Sequence, residues 1–350
     1  MQRVTAPSTH RVVACRGGDV TELETRRLDL PGDGELLLRL RVVGLCGTDL
    51  FKLDTGATHD GMVLGHELVG EVVAMGDGIS SFAMGDRVVV PHHVPCGECL
   101  LCLRGSDTMC EVFRENLLSP GGFAEYVLVR ARAVRQGAQR IPPHIHDEAA
   151  VFVEPAACVL RGVHRAQIPG DGVCVVLGAG SMGLLHLLVL RARCPEVRVV
   201  MVDPQAERRA FALSLGAAGA ASPGTETESV VTAMTDGLGA DAIFDTVGGT
   251  AVLAAALSLT RQGGSVVLFA HAPDGQRADF DLNTLFKYER RVLGTYSGAL
   301  TEQQEIFALL EQGRFDPTPL VSHRLPLDRF EHGVALSRAR EALKVLYTFP

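Results

Sequence analysis

A glycine-rich turn between an apolar strand and a helix constrains the fold of this chain more than any other feature. Residues 173–177 are all apolar, which predicts a buried strand, and residues 182–193 have the pattern of a helix. Between them, Gly178-Ala-Gly180-Ser-Met-Gly183 supplies glycine where a tight turn, a close approach to a pyrophosphate and close helix–strand packing require it. The start of the helix also offers free N–H groups to phosphates. This unit predicts a dinucleotide site on a parallel sheet.

The residues after the turn indicate which dinucleotide binds. Asp203 lies 20 residues past Gly183, at the end of the next predicted strand, where a carboxylate accepts hydrogen bonds from ribose hydroxyls and repels a 2′-phosphate. This favours NAD over NADP, although Arg208 or Arg209 can reach such a phosphate. The residues expected to bind the cofactor lie in the turn, the helix start and the segment after the next strand: Gly178, Gly180, Ser181, Met182, Gly183, Asp203 and Arg208.

The pattern of the whole chain predicts two domains. Residues 155–295 alternate apolar strands with helices, which is typical of a parallel sheet covered on both faces. Residues 1–154 contain short β-type runs such as 35–43, separated by glycine, and favour an antiparallel, partly closed β-structure. Residues 296–350 are too few for a core of their own and are expected to pack on the first region. A length of 350 residues agrees with two domains, since single cores rarely grow past about 250–300 residues.

Charge and hydropathy restrict the partners of the protein. The formal net charge of -8 disfavours nucleic acid and anionic membranes, which would be repelled on average. The sequence has no apolar run of the roughly 20 residues that a membrane span needs. Residues 1–13 are polar and lack the apolar centre of a signal peptide. We therefore expect a cytoplasmic protein that acts on a small molecule, without a nucleic-acid or membrane partner.

Four of the nine cysteines form a compact cluster in the sequence. Cytosolic thiols stay reduced, so these residues are poor candidates for disulfides. Two consecutive C-x-x-C steps direct several sulfurs to one centre, and four thiolates suit a closed, tetrahedral structural zinc, with an iron–sulfur cluster as the alternative. The predicted ligands, in a lobe of about residues 92–112, are Cys96, Cys99, Cys102 and Cys110.

A second set of metal-ligating residues is spread over a longer stretch. Cys46 follows a predicted strand, His66 and Glu67 come twenty residues later, and Glu154 precedes a proline and a predicted helix. A thiolate, an imidazole and one or two carboxylates suit a catalytic zinc, in which three protein ligands leave a position for water or substrate. The spacing by itself is equally compatible with unrelated roles for Cys46 and His66.

Together these features resemble the zinc-containing medium-chain dehydrogenases over essentially the whole chain. Within that family the chain is most similar to the polyol and threonine dehydrogenases, because simple alcohol dehydrogenases usually have cysteine where Glu154 stands. The resemblance is carried by the cysteine lobe, the glycine turn and the following stretches: Cys46-Gly-Thr-Asp49, Gly65-His-Glu67, Val69-Gly-Glu-Val-Val73, Gly85-Asp-Arg-Val88, Gly121-Gly-Phe-Ala-Glu-Tyr126 and Glu154-Pro155.

The resemblance implies an α/β fold and an activity. It implies a split GroES-like β-rich catalytic domain, residues 1–155 and 296–350, with a doubly wound Rossmann domain inserted at 156–295. It implies hydride transfer between NAD and a secondary alcohol or its ketone, with a polyol, cyclitol or amino alcohol as substrate, two zinc ions per chain, and a homodimer or homotetramer. The alternatives are a threonine-type or simple alcohol dehydrogenase, a metal-free quinone or enone reductase, and a non-catalytic NAD-binding protein.

The resemblance also implies roles for single residues. Cys46, His66 and Glu154 would hold the catalytic zinc, with Glu67 as a further ligand or a close neighbour, while Thr48 would accept the substrate proton. Asp49 is a candidate to orient His66, and equally a turn or cap residue. Phe51 stands where relatives often carry a relay histidine, so the proton must leave by another route, with His59 as a remote candidate. The remaining histidines, among them His92 and His93, lack a partner pattern and are interpreted as surface or packing residues.

Overall fold

The structure is a computed structural model that describes residues 7–272 and 275–350. The polar start of the chain, residues 1–6, lies outside the described residues. The chain divides into two compact units. The first unit contains the residues up to Glu154 together with Ala299–Glu311 and Asp316–Pro350, and the second contains Pro155–Gly298 and Gln312–Phe315.

The strands and helices follow one another along both units. The strands are β1 Thr9–Cys15, β2 Thr21–Arg27, β3 Leu36–Gly44, β4 Glu67–Met75, β5 Arg87–Val89, β6 Leu118–Ser119, β7 Tyr126–Val129, β8 Gln139–Arg140, β9 Val173–Leu177, β10 Arg198–Val202, β11 Gly219–Ala221, β12 Ala240–Asp245, β13 Thr260–Leu268, β14 Arg291–Gly294, β15 Val321–Pro326 and β16 Lys344–Thr348. The helices are α1 Gly47–Thr55, α2 Leu100–Leu103, α3 Ala131–Gln136, α4 Asp147–Ala150, α5 Val153–Ala166, α6 Ser181–Arg193, α7 Ala206–Ser214, α8 Thr225–Met234, α9 Thr250–Leu259, α10 Asn283–Phe286, α11 Leu300–Glu311 and α12 Phe330–Arg338.

The first unit is built on a mixed sheet in the order β15-β16-β3-β4-β5-β8, with β7 on β3 and β6 on β7. Strands β3 and β4 pair antiparallel, so that Gly44 at the end of β3 lies opposite Glu67 at the start of β4. Strand β16 also runs antiparallel to β3, and Leu346 lies opposite Gly44. The residues that follow β3, precede β4 and begin β16 therefore meet at one edge of the sheet. A core of buried aliphatic and aromatic side chains, including Phe123 and Tyr347, lies beneath it.

The second unit is a six-stranded sheet in the order β11-β10-β9-β12-β13-β14, and every pair in it is parallel. The strand order reverses at β9, which lies between β10 and β12. In doubly wound sheets the crevice at such a reversal, at the carboxyl ends of the strands, is where nucleotides bind. The glycine turn follows β9 directly, so it lies at this point of the sheet. The predicted α/β class with a doubly wound parallel sheet is confirmed.

The observed elements differ from the predicted ones mainly at their ends. Strand β9 has the predicted bounds, whereas helix α6 begins at Ser181, one residue before the predicted start, because Gly180 is its N-cap. The predicted strand 35–43 is observed as β3, shifted by one residue. In the described part of the chain, no helix combines the length and the apolar character that crossing a bilayer requires.

The third glycine of the turn gives the first testable prediction. A Cβ at Gly183 would overlap the carbonyl oxygen of Gly178, whereas a Cβ at Gly170, before β9, would meet no atom within 4 Å. We expect Gly183→Ala to lower the free energy of unfolding by about 1–3 kcal/mol, as overpacking of a tight contact does, and Gly170→Ala to leave it nearly unchanged. Urea unfolding followed by circular dichroism measures both. Equal stability of the two variants would contradict the packing role of Gly183.

Candidate active site

Cys46 is fixed by the turn from β3 into α1. It is the N-cap of α1, and its sulfur accepts a hydrogen bond from the Thr48 backbone N–H at 3.4 Å. In return the Cys46 backbone N–H donates to Oδ2 of Asp49 at 3.1 Å. This reciprocal pair is a capping box, which sets the direction of both side chains at the helix start. The thiol of Cys46 therefore has a defined position at the edge of the sheet.

Asp49 also holds His66. The second oxygen of its carboxylate, Oδ1, accepts from the Gly65 N–H at 3.3 Å and lies 3.5 Å from Nδ1 of His66. Gly65 has φ of 90°, and a Cβ there would lie 2.8 Å from the backbone nitrogen of Phe123, so glycine is required on both counts. With Nδ1 directed at the fully buried Asp49, the imidazole of His66 keeps Nε2 for a ligand.

The charges of this pair support one another. Burial by itself would raise the pKa of the Asp49 carboxyl, but the charge of His66 and the hydrogen bonds from His66, Cys46 and Gly65 outweigh it and lower the pKa. Burial by itself would lower the pKa of His66, but Asp49 and Cys46 raise it well above its ordinary value. A bound metal cation would displace the proton on His66, because a ligating imidazole is neutral.

Glu67 forms a buried ion pair with Lys344. Nζ of Lys344, at the start of β16, donates to Oε2 of Glu67, and the two side chains are 4% and 0% exposed. Burial would lower the pKa of Lys344, but the charges of Glu67, Cys46 and Glu154 raise it. Gly44 leaves the space for this pair, since a Cβ there would lie 2.9 Å from Cε of Lys344. The other oxygen, Oε1 of Glu67, is buried and has no hydrogen-bond partner among residues 7–272 and 275–350.

Sequence reasoning missed Lys344. The signal was a lysine among the apolar residues of the last strand, at a position that is buried in the structure. Lysine is almost never fully buried unless it is paired, so this pattern indicates a buried acidic partner. The sequence does not identify that partner, because Glu67 lies 277 residues away.

Glu154 reaches the same place from the first turn of α5, and it is 7% exposed. Oε1 of Glu154 lies 3.9 Å from Nδ1 of His92, and the rings of His66 and His92 have centroids 4.6 Å apart. His92 is the second functional candidate that sequence reasoning missed. It comes soon after β5, which pairs with the start of β4 through Val69 and Val89, so this pairing brings His92 to His66.

Burial and the neighbouring charge of His66 both act on the imidazoles of His92 and His93. Burial, and then the charges of His66 and His93, lower the pKa of His92 well below its ordinary value. Burial, followed by the charge of His66, lowers the pKa of His93 to about 4. Both imidazoles are therefore neutral at pH 7.

The donor atoms at this edge fit a metal ion. One ligand atom each of Cys46, His66 and Glu67 lie within 4.8 Å of one another, and so do those of His66, His92 and Glu154. The two groups share His66. Sulfur, imidazole nitrogen and carboxylate oxygen are the ligands that zinc takes in catalytic sites. The unpaired oxygen of Glu67 is directed into a buried environment, as a metal ligand would be.

The cysteine lobe forms a separate cluster, with all four sulfur atoms within 4.8 Å of one another. The sulfurs of Cys99 and Cys102 are 3.5 Å apart, and those of Cys96 and Cys102 are 3.9 Å apart. Backbone N–H groups donate to the sulfurs, from Cys96 to Cys110 and from Cys99 to Cys96, each at 3.3 Å. Donation from the N–H groups of Glu98 and Cys99 lowers the pKa of Cys96 to about 7, which favours the thiolate that binds a metal.

The residues considered for the proton path lie on α1 and on the loop after it. Thr48 is in the first turn of α1, two residues from Cys46, and is partly exposed. Phe51 lies one turn further along the same helix. His59 is exposed on the following loop, where its Nδ1 lies 3.0 Å from the carbonyl oxygen of Asp60.

The glycine turn of the second unit makes a tight reversal from β9 into helix α6. Gly178 has φ of 98°, and Gly180 is the N-cap of α6, whose first residues are Ser181 and Met182. Asp203 is 5% exposed at the end of β10. Its Oδ2 accepts from the Ala179 N–H at 2.8 Å. The carboxylate is therefore tied to the turn.

The two arginines after Asp203 differ in their surroundings. Arg209 donates from Nη1 to the carbonyl oxygens of Asp203 and Pro204, at 2.8 and 2.9 Å. Nη1 of Arg208 would lie 3.7 Å from a Cβ at Gly180, so this guanidinium is beside the glycine turn. Arg208 is therefore better placed than Arg209 to contact a nucleotide phosphate.

Comparison with known proteins identifies two domain families in this chain. Residues 32–139 match the alcohol dehydrogenase GroES-like domain, and residues 172–312 match the zinc-binding dehydrogenase family. The chain belongs to the zinc-containing medium-chain dehydrogenases. Within them it falls in the branch of the polyol and threonine dehydrogenases, as the sequence motifs predicted.

Individual relatives match over nearly the whole chain. An erythritol/L-threitol dehydrogenase of Mycolicibacterium smegmatis is 31% identical, over 97% of this chain and 97% of that protein. An L-threonine 3-dehydrogenase of Pyrococcus furiosus is 30% identical, over 95% of each chain. The solved structure of an alcohol dehydrogenase from Thermus sp. ATN1 is 30% identical, with a TM-score of 0.83 over 97% of this chain and 100% of that chain.

The buried ion pair gives a testable prediction about stability. In the Lys344→Met variant Glu67 keeps its charge without a partner, and breaking a buried pair in this way costs about 3–5 kcal/mol. We expect that loss in the free energy of unfolding, measured by urea denaturation. A second substitution, Glu67→Gln, removes the uncompensated charge and is expected to recover most of it. If the double variant is as unstable as Lys344→Met, then Lys344 does not stabilise the protein by neutralising the charge of Glu67.

Proposed function

We propose that this chain is a zinc-dependent, NAD-linked dehydrogenase that interconverts a secondary alcohol of a polyol, cyclitol or amino alcohol and the corresponding ketone. The observation that carries the proposal is that Cys46 and Glu67 form one compact group with His66, and that Glu154 forms a second compact group with the same His66. The polyol and threonine dehydrogenases among the relatives support the substrate class. Polyols are the leading class, because the relative from Mycolicibacterium smegmatis is named as a dehydrogenase of erythritol and L-threitol.

We assign the catalytic zinc to Cys46 and His66 together with the carboxylates of Glu67 and Glu154. The charges support this assignment. Glu67 and Lys344 are neutral as a pair. A metal-bound Cys46 thiolate and the carboxylates of Glu154 and Asp49 then leave the site with negative charge, which favours a cation. When bound, zinc supplies Lewis acidity that favours loss of the substrate hydroxyl proton.

The protein side chains handle the proton and the geometry. Thr48 lies in the first turn of α1, and we assign its hydroxyl to accept the substrate proton and pass it on. Phe51 has no titratable group, so a ribose hydroxyl of the bound cofactor and water would have to take the proton onward from Thr48. Asp49 keeps His66 in one tautomer and one orientation, which preserves the geometry of the site through the reaction.

The nicotinamide cofactor is assigned to the second unit. Gly178 and Gly180 would let the backbone approach the pyrophosphate, and the N–H groups at the start of α6 would bind it. We propose NAD in preference to NADP, because the Asp203 carboxylate favours ribose hydroxyls over a 2′-phosphate. Arg208, beside Gly180, is assigned to a phosphate of the pyrophosphate.

A structural zinc is proposed for the cysteine lobe, which makes two zinc ions per chain. Four ligands about 2.3 Å from a tetrahedral zinc are about 3.8 Å apart, close to the 3.5 and 3.9 Å sulfur separations in the lobe. An iron–sulfur cluster holds its cysteines on different irons and spaces the sulfurs more widely. This favours zinc over the alternative.

We further propose a homodimer or homotetramer in the cytoplasm, where these thiols stay reduced. Strand β14 is an edge of the parallel sheet, so pairing with a second copy would extend that sheet.

A substrate panel followed at the NADH absorbance tests the proposed activity. We expect NAD reduction with erythritol or L-threitol, and less with L-threonine and with butan-2-ol. Activity confined to L-threonine would assign the chain to the threonine-type alternative. No reduction with any alcohol, in protein that binds NAD, would support the non-catalytic alternative.

Removal of single ligands tests the zinc assignment. Cys46→Ala and His66→Ala are each expected to abolish turnover and to lower the zinc content from two to one per chain, while NAD binding and the circular dichroism spectrum persist. Metal analysis by mass spectrometry provides the count. Cys174→Ala, which removes a buried thiol from β9, is the matched control and should keep both ions. Full activity in either ligand variant would remove the catalytic assignment.

Cofactor choice is tested at Asp203. Asp203→Asn keeps the shape of the side chain and removes its charge, so the preference for NAD over NADP, as a ratio of kcat/KM values, should fall about ten- to a hundredfold. The exposed Asp171→Asn is the control and should leave the ratio unchanged. An unchanged ratio in Asp203→Asn would mean that this carboxylate does not contact the ribose.

A further inference from the structure

His92 lies beside the candidate zinc ligands, and the proposed mechanism gives it no role. Its ring centroid lies 4.6 Å from that of His66 and 3.8 Å from that of His93. His93 in turn packs on the buried ring of Phe113 at 5.2 Å. The backbone is also restrained, because the carbonyl oxygen of His92 accepts from the Leu117 N–H at 3.2 Å. The imidazole of His92 is therefore packed between the rings of His66 and His93.

One nitrogen of this imidazole is unsatisfied. Nδ1 of His92 is buried and has no hydrogen-bond partner in the part of the chain that the structure describes. Oε1 of Glu154 lies 3.9 Å away, beyond hydrogen-bonding distance. Buried nitrogen atoms without a partner are rare in native proteins, and a bound water, ion or ligand is a usual explanation for one.

The position of His92 indicates what such a ligand is. A nitrogen of His92, one of His66 and a carboxylate oxygen of Glu154 lie within 4.8 Å of one another. A substrate hydroxyl held beside His66 and Glu154 would therefore bring the next carbon of the substrate close to His92. An imidazole nitrogen donates or accepts a hydrogen bond according to its tautomer, so it can bind a hydroxyl or an amino group on that carbon.

We propose that His92 determines substrate specificity by hydrogen-bonding, through Nδ1, a second polar group on the carbon next to the one that is oxidised. This inference rests on the proposed function. It narrows the substrate class to vicinal diols and vicinal amino alcohols. A simple secondary alcohol leaves Nδ1 unpaired, and sites built around a buried hydrogen bond discriminate strongly against ligands that cannot make it.

Two alcohols with the same carbon skeleton test the proposal. We expect the zinc-loaded enzyme with NAD to prefer butane-2,3-diol to butan-2-ol by about ten- to a hundredfold in kcat/KM. His92→Phe should bring that ratio close to one by lowering kcat/KM for the diol alone. His92→Asn places an amide near the position of Nδ1 and should retain much of the preference. His144→Phe, at an exposed histidine, is the control and should leave the ratio unchanged.

A spectroscopic measurement separates substrate binding from metal ligation. In enzyme whose zinc is replaced by cobalt(II), His92→Phe should leave the visible absorption bands unchanged, because those bands report the ligands of the ion. A changed spectrum would make His92 a metal ligand and overturn the proposal. Two further results would overturn the role of His92 without affecting the proposed function. One is an equal loss of kcat/KM for the diol and for butan-2-ol in His92→Phe. The other is an equal kcat/KM for the two alcohols in the unmodified enzyme. Oxidation of neither alcohol, nor of any polyol, would overturn the proposed function and this inference with it.

Discussion

The arrangement of the candidate active site depends on the buried carboxylate of Asp49. One oxygen accepts from the N–H of Cys46, and the other accepts from the N–H of Gly65 and lies beside His66. Cys46 follows β3 and His66 precedes β4, so the carboxylate joins two strand ends that the antiparallel pairing has already brought together. A single capping residue therefore sets the position of both the sulfur and the imidazole. Replacing it would free both at once.

Charge compensation completes the site around this carboxylate. Glu67, at the first position of β4, is fully buried and is neutralised by Lys344 from β16. This pair is possible because Gly44, opposite Glu67, has no side chain. With Glu67 neutralised, the negative charges that remain around a bound cation would be those of Cys46, Glu154 and Asp49, with Asp49 on the far side of His66. The buried pair thus links the stability of the first unit to the charge of the candidate metal site.

The sequence predicted the parts of the molecule whose signal is local. Strand β9, the glycine turn and helix α6 follow one another without interruption, so periodicity and glycine positions were sufficient to predict the doubly wound sheet. The four sulfurs of the cysteine lobe lie within fifteen residues, and their meeting was also predictable. Lys344 and His92 were missed, because each reaches the site through strand pairing, of β16 with β3 and of β5 with β4. Neither pairing has a signature in the residues themselves.

The sequence by itself determined the fold class, the family and the residue types available for chemistry, because these are properties of short segments and of their order. Only the tertiary structure decided which of those residues meet. It brought His92 beside His66, left its Nδ1 without a partner, and neutralised Glu67 with a lysine from the far end of the chain. The physical reason is that contact across a sheet depends on strand order and register, which are set by the packing of the whole core rather than by neighbouring residues.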